Sequence, residues 1–280
     1  MSGHRTDLPA EKPDLSAESV LFNALSASIA PACPEESHVH DLRGRLLARA
    51  RRSHERAQCY ACVHREDGAW ETLMKGVRIK VLNDRADARS ILMDLDPGVA
   101  MPSHRHHQHE ECVVLKGDAQ LGDIEVNEGD YQIAPAGSRH ATGRTRNGAL
   151  LYLRGVSIGN RLAVMRDLAA AWIPSRKVDP LVVRSGNEAW NSVAAGVHIK
   201  PLWQDECETS FLMRLEPGAC LNADARAQHE ECLVVSGEIF CDDTLLRAHD
   251  YQFSRDGTHA REICSDVGAV LFMRGARTAD

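Results

Sequence analysis

Between Gly98 and His140 the chain reads G-x5-H-x-H-x3-E-x6-G, then G-x5-P-x-G-x2-H. The residues are Gly98, His104, His106, Glu110 and Gly117, followed by Gly129, Pro135, Gly137 and His140. Side chains at i and i+2 of a strand share a face, which directs His104 and His106 the same way. Glu110 can return on the neighbouring strand after the short stretch His107–His109, and closure of the sheet brings in His140. Three imidazoles and one carboxylate form a site for one divalent transition metal. Zinc is the favoured ion, with iron, manganese or nickel as alternatives. Strand parity with Cys112 and Val114, and the spacing to Gly117, select Glu110 over Glu111. A Cys112 thiol on the Glu110 face could sense oxidants beside the metal, but a small buried core residue is the simpler reading.

The elements that must hold these residues occur twice. A shift of 120 residues lays Trp70–Gly155 on Trp190–Gly275 without a gap, with about a third of the positions identical. GVRIK at Gly76–Lys80 meets GVHIK at Gly196–Lys200, QHEEC at Gln108–Cys112 meets Gln228–Cys232, and DYQ at Asp130–Gln132 meets Asp250–Gln252. Apolar clusters such as Ser90–Leu95 and Cys112–Leu115 are short and separated by turn residues, as in an all-β barrel. The second copy does not keep the ligands. His104 becomes Asp224, His106 becomes Arg226 and His140 becomes Ala260, leaving Glu230 alone. A guanidinium has no lone pair for a metal, but Arg226 can stand in for the cation between Asp224 and Glu230. His259 lies one residue short of the ligand position, which turns it to the other face of a regular strand.

The two-part motif resembles that of the cupin superfamily. The resemblance implies an all-β fold of two tandem cupin barrels (jelly-roll, double-stranded β-helix), and it implies His104, His106, Glu110 and His140 as the metal ligands by position. Arg144 stands where a fuller second motif carries Asn. More narrowly, SASIAPACPEE…LRGRLLARA at Ser26–Ala50 and PGVAMPSHRHHQHEECVVLKG in the first copy look like the connector and cupin of ChrR-type zinc-binding anti-sigma factors. That family carries a His-x3-Cys-x2-Cys zinc motif ahead of the connector. Here His54, Cys59, Cys62 and His64 follow it at a different spacing, and Cys59–Arg65 reads mainly as a barrel strand rather than a zinc knuckle.

The expected organisation is a tail and helical segment at 1–56, a metal-binding cupin at 57–158, a helical linker at 159–176 and a metal-free cupin at 177–280. Residues 1–14 read as disordered. Leu21, Phe22, Leu25 and Ile29 make one helical face, and Asp41 can cap a second helix with apolar positions Leu42, Leu46, Leu47 and Ala50. Six arginines lie between Arg43 and Arg56, best explained as a solvated face. Asn160–Trp172 has helical spacing and stops at Pro174.

Of 280 residues, 43% are hydrophobic and 26% charged, which suits a soluble globular chain. A net charge of −7 disfavours nucleic acid as a partner. No apolar run approaches the roughly 18 residues of a membrane span, and no secretion signal opens the chain, so a cytoplasmic location is expected. Nine cysteines there read as thiols rather than a disulfide framework. Expected partners are a protein at the amino-terminal helices, a small ligand in the first barrel and, from the class, a second copy, unless the two repeats already pair internally. The expected function is a regulatory metal-binding bicupin. The alternative is an iron-dependent cupin dioxygenase acting on a small organic substrate.

Overall fold

The computed structural model describes residues 19–20, 22–23, 26, 36–85, 89–101, 104–106, 108–140, 143–156, 180–186, 190–223, 229–254 and 261–276. The chain divides into two compact units, Met1–Arg51 and Arg52–Asp280, and the second holds both repeats. The repeats are built from two antiparallel ten-stranded sheets. One runs Leu181–Val183, Tyr131–Ala134, Glu110–Leu121, Ala149–Arg154, Ser90–Leu95, Val77–Asn83, Glu71–Met74. The other runs Tyr60–Val63, Tyr251–Ser254, His229–Cys241, Ala269–Ala276, Glu208–Leu215, Val197–Gln204, Asn191–Ala194.

Strand parity explains the near-continuous burial of the central strands, such as Ser90–Leu95 and Ala149–Arg154. Along Glu110–Leu121, Cys112 and Val114 turn into the interior of the first barrel with Ile79, Ile91, Met93, Leu151 and Leu153. Val113 and Leu115 turn the other way, into a layer shared with Leu212, Leu233, Tyr251 and Phe272 of the second repeat. The second barrel has its own interior around Cys232, Val234, Leu271 and Met273. A strand with apolar neighbours on both faces does not alternate in sequence. Each fully buried Leu, Val or Phe contributes about 1.5–3 kcal/mol, so the shared layer alone binds the halves strongly.

The repeats also exchange strands. Tyr60–Val63 precedes the first repeat yet pairs with Tyr251–Ser254 of the second. Leu181–Val183 precedes the second repeat yet pairs with Tyr131–Ala134 of the first. Both crossings are clamped in the same way. Lys80 Nζ donates to the carbonyls of His64 and Arg65, at 2.8 Å each, and Arg65 N donates to Asp250 Oδ1 at 2.6 Å. Lys200 Nζ donates to the carbonyls of Arg184 and Ser185, at 2.6 and 3.3 Å, and Ser185 N donates to Asp130 Oδ1 at 2.7 Å. The strand expected at Cys59–Arg65 therefore forms, but on the sheet of the other repeat.

The helix Glu36–Gln58 begins ahead of Asp41, so Asp41 lies inside it and caps nothing. Val39, Leu42, Leu46 and Leu47 on it are exposed. Cys220 and Cys264, directly opposite on strands Ala219–Ala223 and Arg261–Ser265, form a disulfide, against the expectation that all cysteines are thiols. Cys59, Cys62, Cys112, Cys207, Cys232 and Cys241 are thiols. No helix among the described residues is long and apolar enough to cross a membrane. The expected tail, the Leu21, Leu25 and Ile29 positions, and the linker helix at Asn160–Trp172 lie outside the described residues.

Candidate metal centre

The backbone brings the two halves of the motif together. Arg139–His140 pairs antiparallel with His104–Arg105, placing His140 directly opposite His104. His106 N donates to Ser138 O at 3.0 Å, and Gly137 N donates to His106 O at 2.8 Å. The intervening turn closes when Ser138 N donates to Pro135 O at 3.0 Å, with Gly137 at a φ of 80°. Glycine adopts that angle without penalty, which explains the fixed P-x-G-x2-H spacing. Glu110 pairs in register with Ala134, immediately before the turn.

The His106 imidazole and the Glu110 carboxylate are both buried, with Nδ1 and Oε2 3.1 Å apart. An imidazole and a carboxylate side by side inside a barrel are the N and O donors that borderline divalent metals take. His106 and Glu110 are thus of donor types that fit a metal. The side chains of His104 and His140 lie outside the described residues, and among the described residues no group of three or more His, Cys, Asp or Glu could hold an ion. Asp224, Arg226, His259 and Ala260 of the second repeat also lie outside, as does the side chain of Glu230. His107 does too.

Glu110 faces the interior as expected, and Glu111 faces the opposite way. Glu111 is fully buried, accepts from Tyr131 Oη at 2.8 Å and pairs with Arg274 of the second repeat. Across the repeat, Glu231 accepts from Arg154 Nε at 2.6 Å and Tyr251 Oη at 2.6 Å. Burial alone would raise the Glu231 carboxyl, but the Arg154 guanidinium and hydrogen bonds from Tyr251, Arg154 and Ser90 hold it below its ordinary value. These interface residues were not singled out by the sequence. The signal was there, since Glu-Glu and Arg-Gly recur at both positions while the ligands change.

Cys112 lies between Glu110 and Val114 on the inward face. Burial, and secondarily the Glu110 charge, push its thiol far up, so it stays protonated and packs as a core residue. Burial pushes Cys232, its counterpart, up to about 12. His109 meets Trp203 of the second repeat, with ring centroids 5.2 Å apart. Arg144, at the departure from the fuller motif, is exposed.

The four residues of the spaced Cys and His set near Cys59 each meet a different neighbour. His54 Nε2 meets Gln58 at 2.9 Å, and Cys59 Sγ donates to Glu55 O at 3.4 Å. Cys62 Sγ accepts from Gln252 Nε2 at 3.3 Å, and His64 Nδ1 meets Asp250 Oδ2 at 3.0 Å.

Solved structures share this architecture. A provisionally assigned dioxygenase from Nostoc punctiforme PCC 73102 superposes with a TM-score of 0.62 at 16% identity, covering 79% of this chain and 83% of that one. A provisionally assigned glyoxylate-induced protein from Pseudomonas aeruginosa gives 0.59 at 12% identity, covering 80% and 90%. A variant of oxalate decarboxylase from Bacillus subtilis gives 0.54 at 16% identity, covering 78% and 77%. Identities this low establish the fold alone. No curated protein matches the sequence. The ChrR cupin-like domain matches twice, over residues 59–156 and 178–278, once for each repeat and across most of the chain. The chain belongs to the ChrR cupin-like domain family.

Proposed function

We propose that this chain is a regulatory, metal-binding bicupin that holds one divalent transition metal in its first barrel. His104, His106, Glu110 and His140 are the ligands, and zinc is the favoured ion. The observation that carries the reading is the backbone register of His140 opposite His104, beside the buried His106–Glu110 contact. When bound, such a metal supplies Lewis acidity and coordination positions to a small ligand. The chain's own residues bring the donors together, exclude water and set the shape of the barrel interior. Family membership supports the regulatory side. The apolar row Val39, Leu42, Leu46 and Leu47 on the exposed helix supports a protein partner there. The shared layer between the repeats is what two single barrels would gain by dimerising, which supports internal pairing over a homodimer.

Metal analysis of the chain purified without added metal tests the proposal. Zinc near one ion per chain supports regulation. Iron, together with O2 uptake that depends on an added organic substrate, would replace it with the dioxygenase reading, which the fold of the Nostoc punctiforme protein keeps in view.

A further inference from the structure

Buried polar groups in folded proteins nearly always have partners, and an orphaned donor loses its hydration with nothing in return. Gln132 is only 1% exposed, and among the described residues its Nε2 donates to nothing. Gln132 stands in the ladder between Cys112 and Val182, two residues from Ala134, whose partner is Glu110. Residues two apart on a strand share a face, so Gln132 points into the first barrel about 7 Å along from the Glu110 row.

The second repeat supplies an internal control. Gln252, the counterpart of Gln132, is also buried, and both its Nε2 and its Oε1 have partners. Its Nε2 donates to Cys62 Sγ at 3.3 Å, while its Oε1 accepts from Arg261 Nη1 at 2.8 Å and from Cys241 Sγ at 3.2 Å. At the places of Cys62, Arg261 and Cys241 the first repeat has Val182, Ala141 and Leu121. None of those side chains can form a hydrogen bond. The same glutamine is thus satisfied from within in one barrel and left to a visitor in the other.

We infer that Gln132 Nε2 donates to the oxygen of a small carboxylate or carbonyl compound that enters the first barrel beside the metal ligands. Gln132 is then a specificity-determining residue. The other neighbours along this face (Cys112, Val114, Leu153 and Val182) are apolar, which suits a ligand with a short hydrocarbon body. The inference rests on the metal site proposed above.

Acetate titrated into the Co(II)-loaded chain, followed by the visible absorption of the metal, is the test. The wild type should take up one Co(II) and change its spectrum with acetate. Gln132→Leu should keep Co(II) and lose at least tenfold in acetate affinity. Gln132→Met, which keeps length but has no donor, should do the same if the leucine variant folds poorly. Gln252→Leu should leave acetate binding unchanged. Equal acetate affinity in wild type and Gln132→Met would mean that the amide meets only a buried water and would overturn the inference, as would Co(II) uptake with no acetate response. Failure to take up Co(II) at all would overturn the metal site itself.

Discussion

Arg154 Nε donates to Glu231 Oε1 at 2.6 Å across the boundary between the repeats, and Arg274 pairs with Glu111 in the reverse direction. All four residues are buried. Removing one member of a buried, hydrogen-bonded pair strands a charge, which costs about 3–5 kcal/mol. Arg154→Met is therefore expected to lower unfolding stability by that amount. Urea denaturation measures it, and a loss below about 1 kcal/mol would show the pair to be dispensable.

Two buried carboxylates, one in this network and one at the Ser185 crossing, give stability a defined acid limit. Glu231 is held below its ordinary value of 4.5. Burial opposes ionisation of Asp130, yet amide hydrogen bonds from Ser185 and Asn127 and the Arg184 guanidinium hold it below 3.8. A carboxyl with a depressed folded value binds fewer protons folded than unfolded, so its contribution is complete above the unfolded value and is lost as pH falls through the folded one. Thermal midpoints are expected to be flat between pH 7 and about pH 5 and to drop below about pH 4. A drop that is already complete at pH 5 would assign acid sensitivity to other groups.

Two glycines with similar backbone angles should respond differently to substitution. Gly98 has a φ of 79° and open space where a Cβ would sit, so Gly98→Ala should cost about 1–2 kcal/mol from the backbone alone. Gly155 has a φ of 81°, and its Cβ would collide with the carbonyl of His109, next to Glu110. Gly155→Ala should cost more stability and also weaken metal retention. Equal effects of the two on metal content would break the link between Gly155 and the ligand strand.

The parts legible in the sequence were those set by local periodicity. Strand parity separated Glu110, facing inward, from Glu111, facing the other repeat, and the 120-residue repeat disclosed two barrels. Exchange of Tyr60–Val63 and Leu181–Val183 was not legible, because two similar repeats offer each strand two equivalent sheet edges. The ladders to Tyr251–Ser254 and Tyr131–Ala134 show which edge each strand takes, and the clamps at Lys80 and Lys200 hold them there. The helix start was misjudged because Asp41 is a good cap residue by type, while the chain is already helical from Glu36. The Cys220–Cys264 link was missed because 44 residues separate the pair and only strand register brings them together.

Metal content of the purified chain and of its ligand variants tests the central claim most directly. The wild type is expected to carry one divalent transition metal per chain, and His106→Ala and His140→Ala are each expected to lose it while retaining β-sheet circular dichroism. Full metal occupancy in both folded variants, or a folded wild type that takes up no divalent metal when supplied, would contradict the assignment of His104, His106, Glu110 and His140.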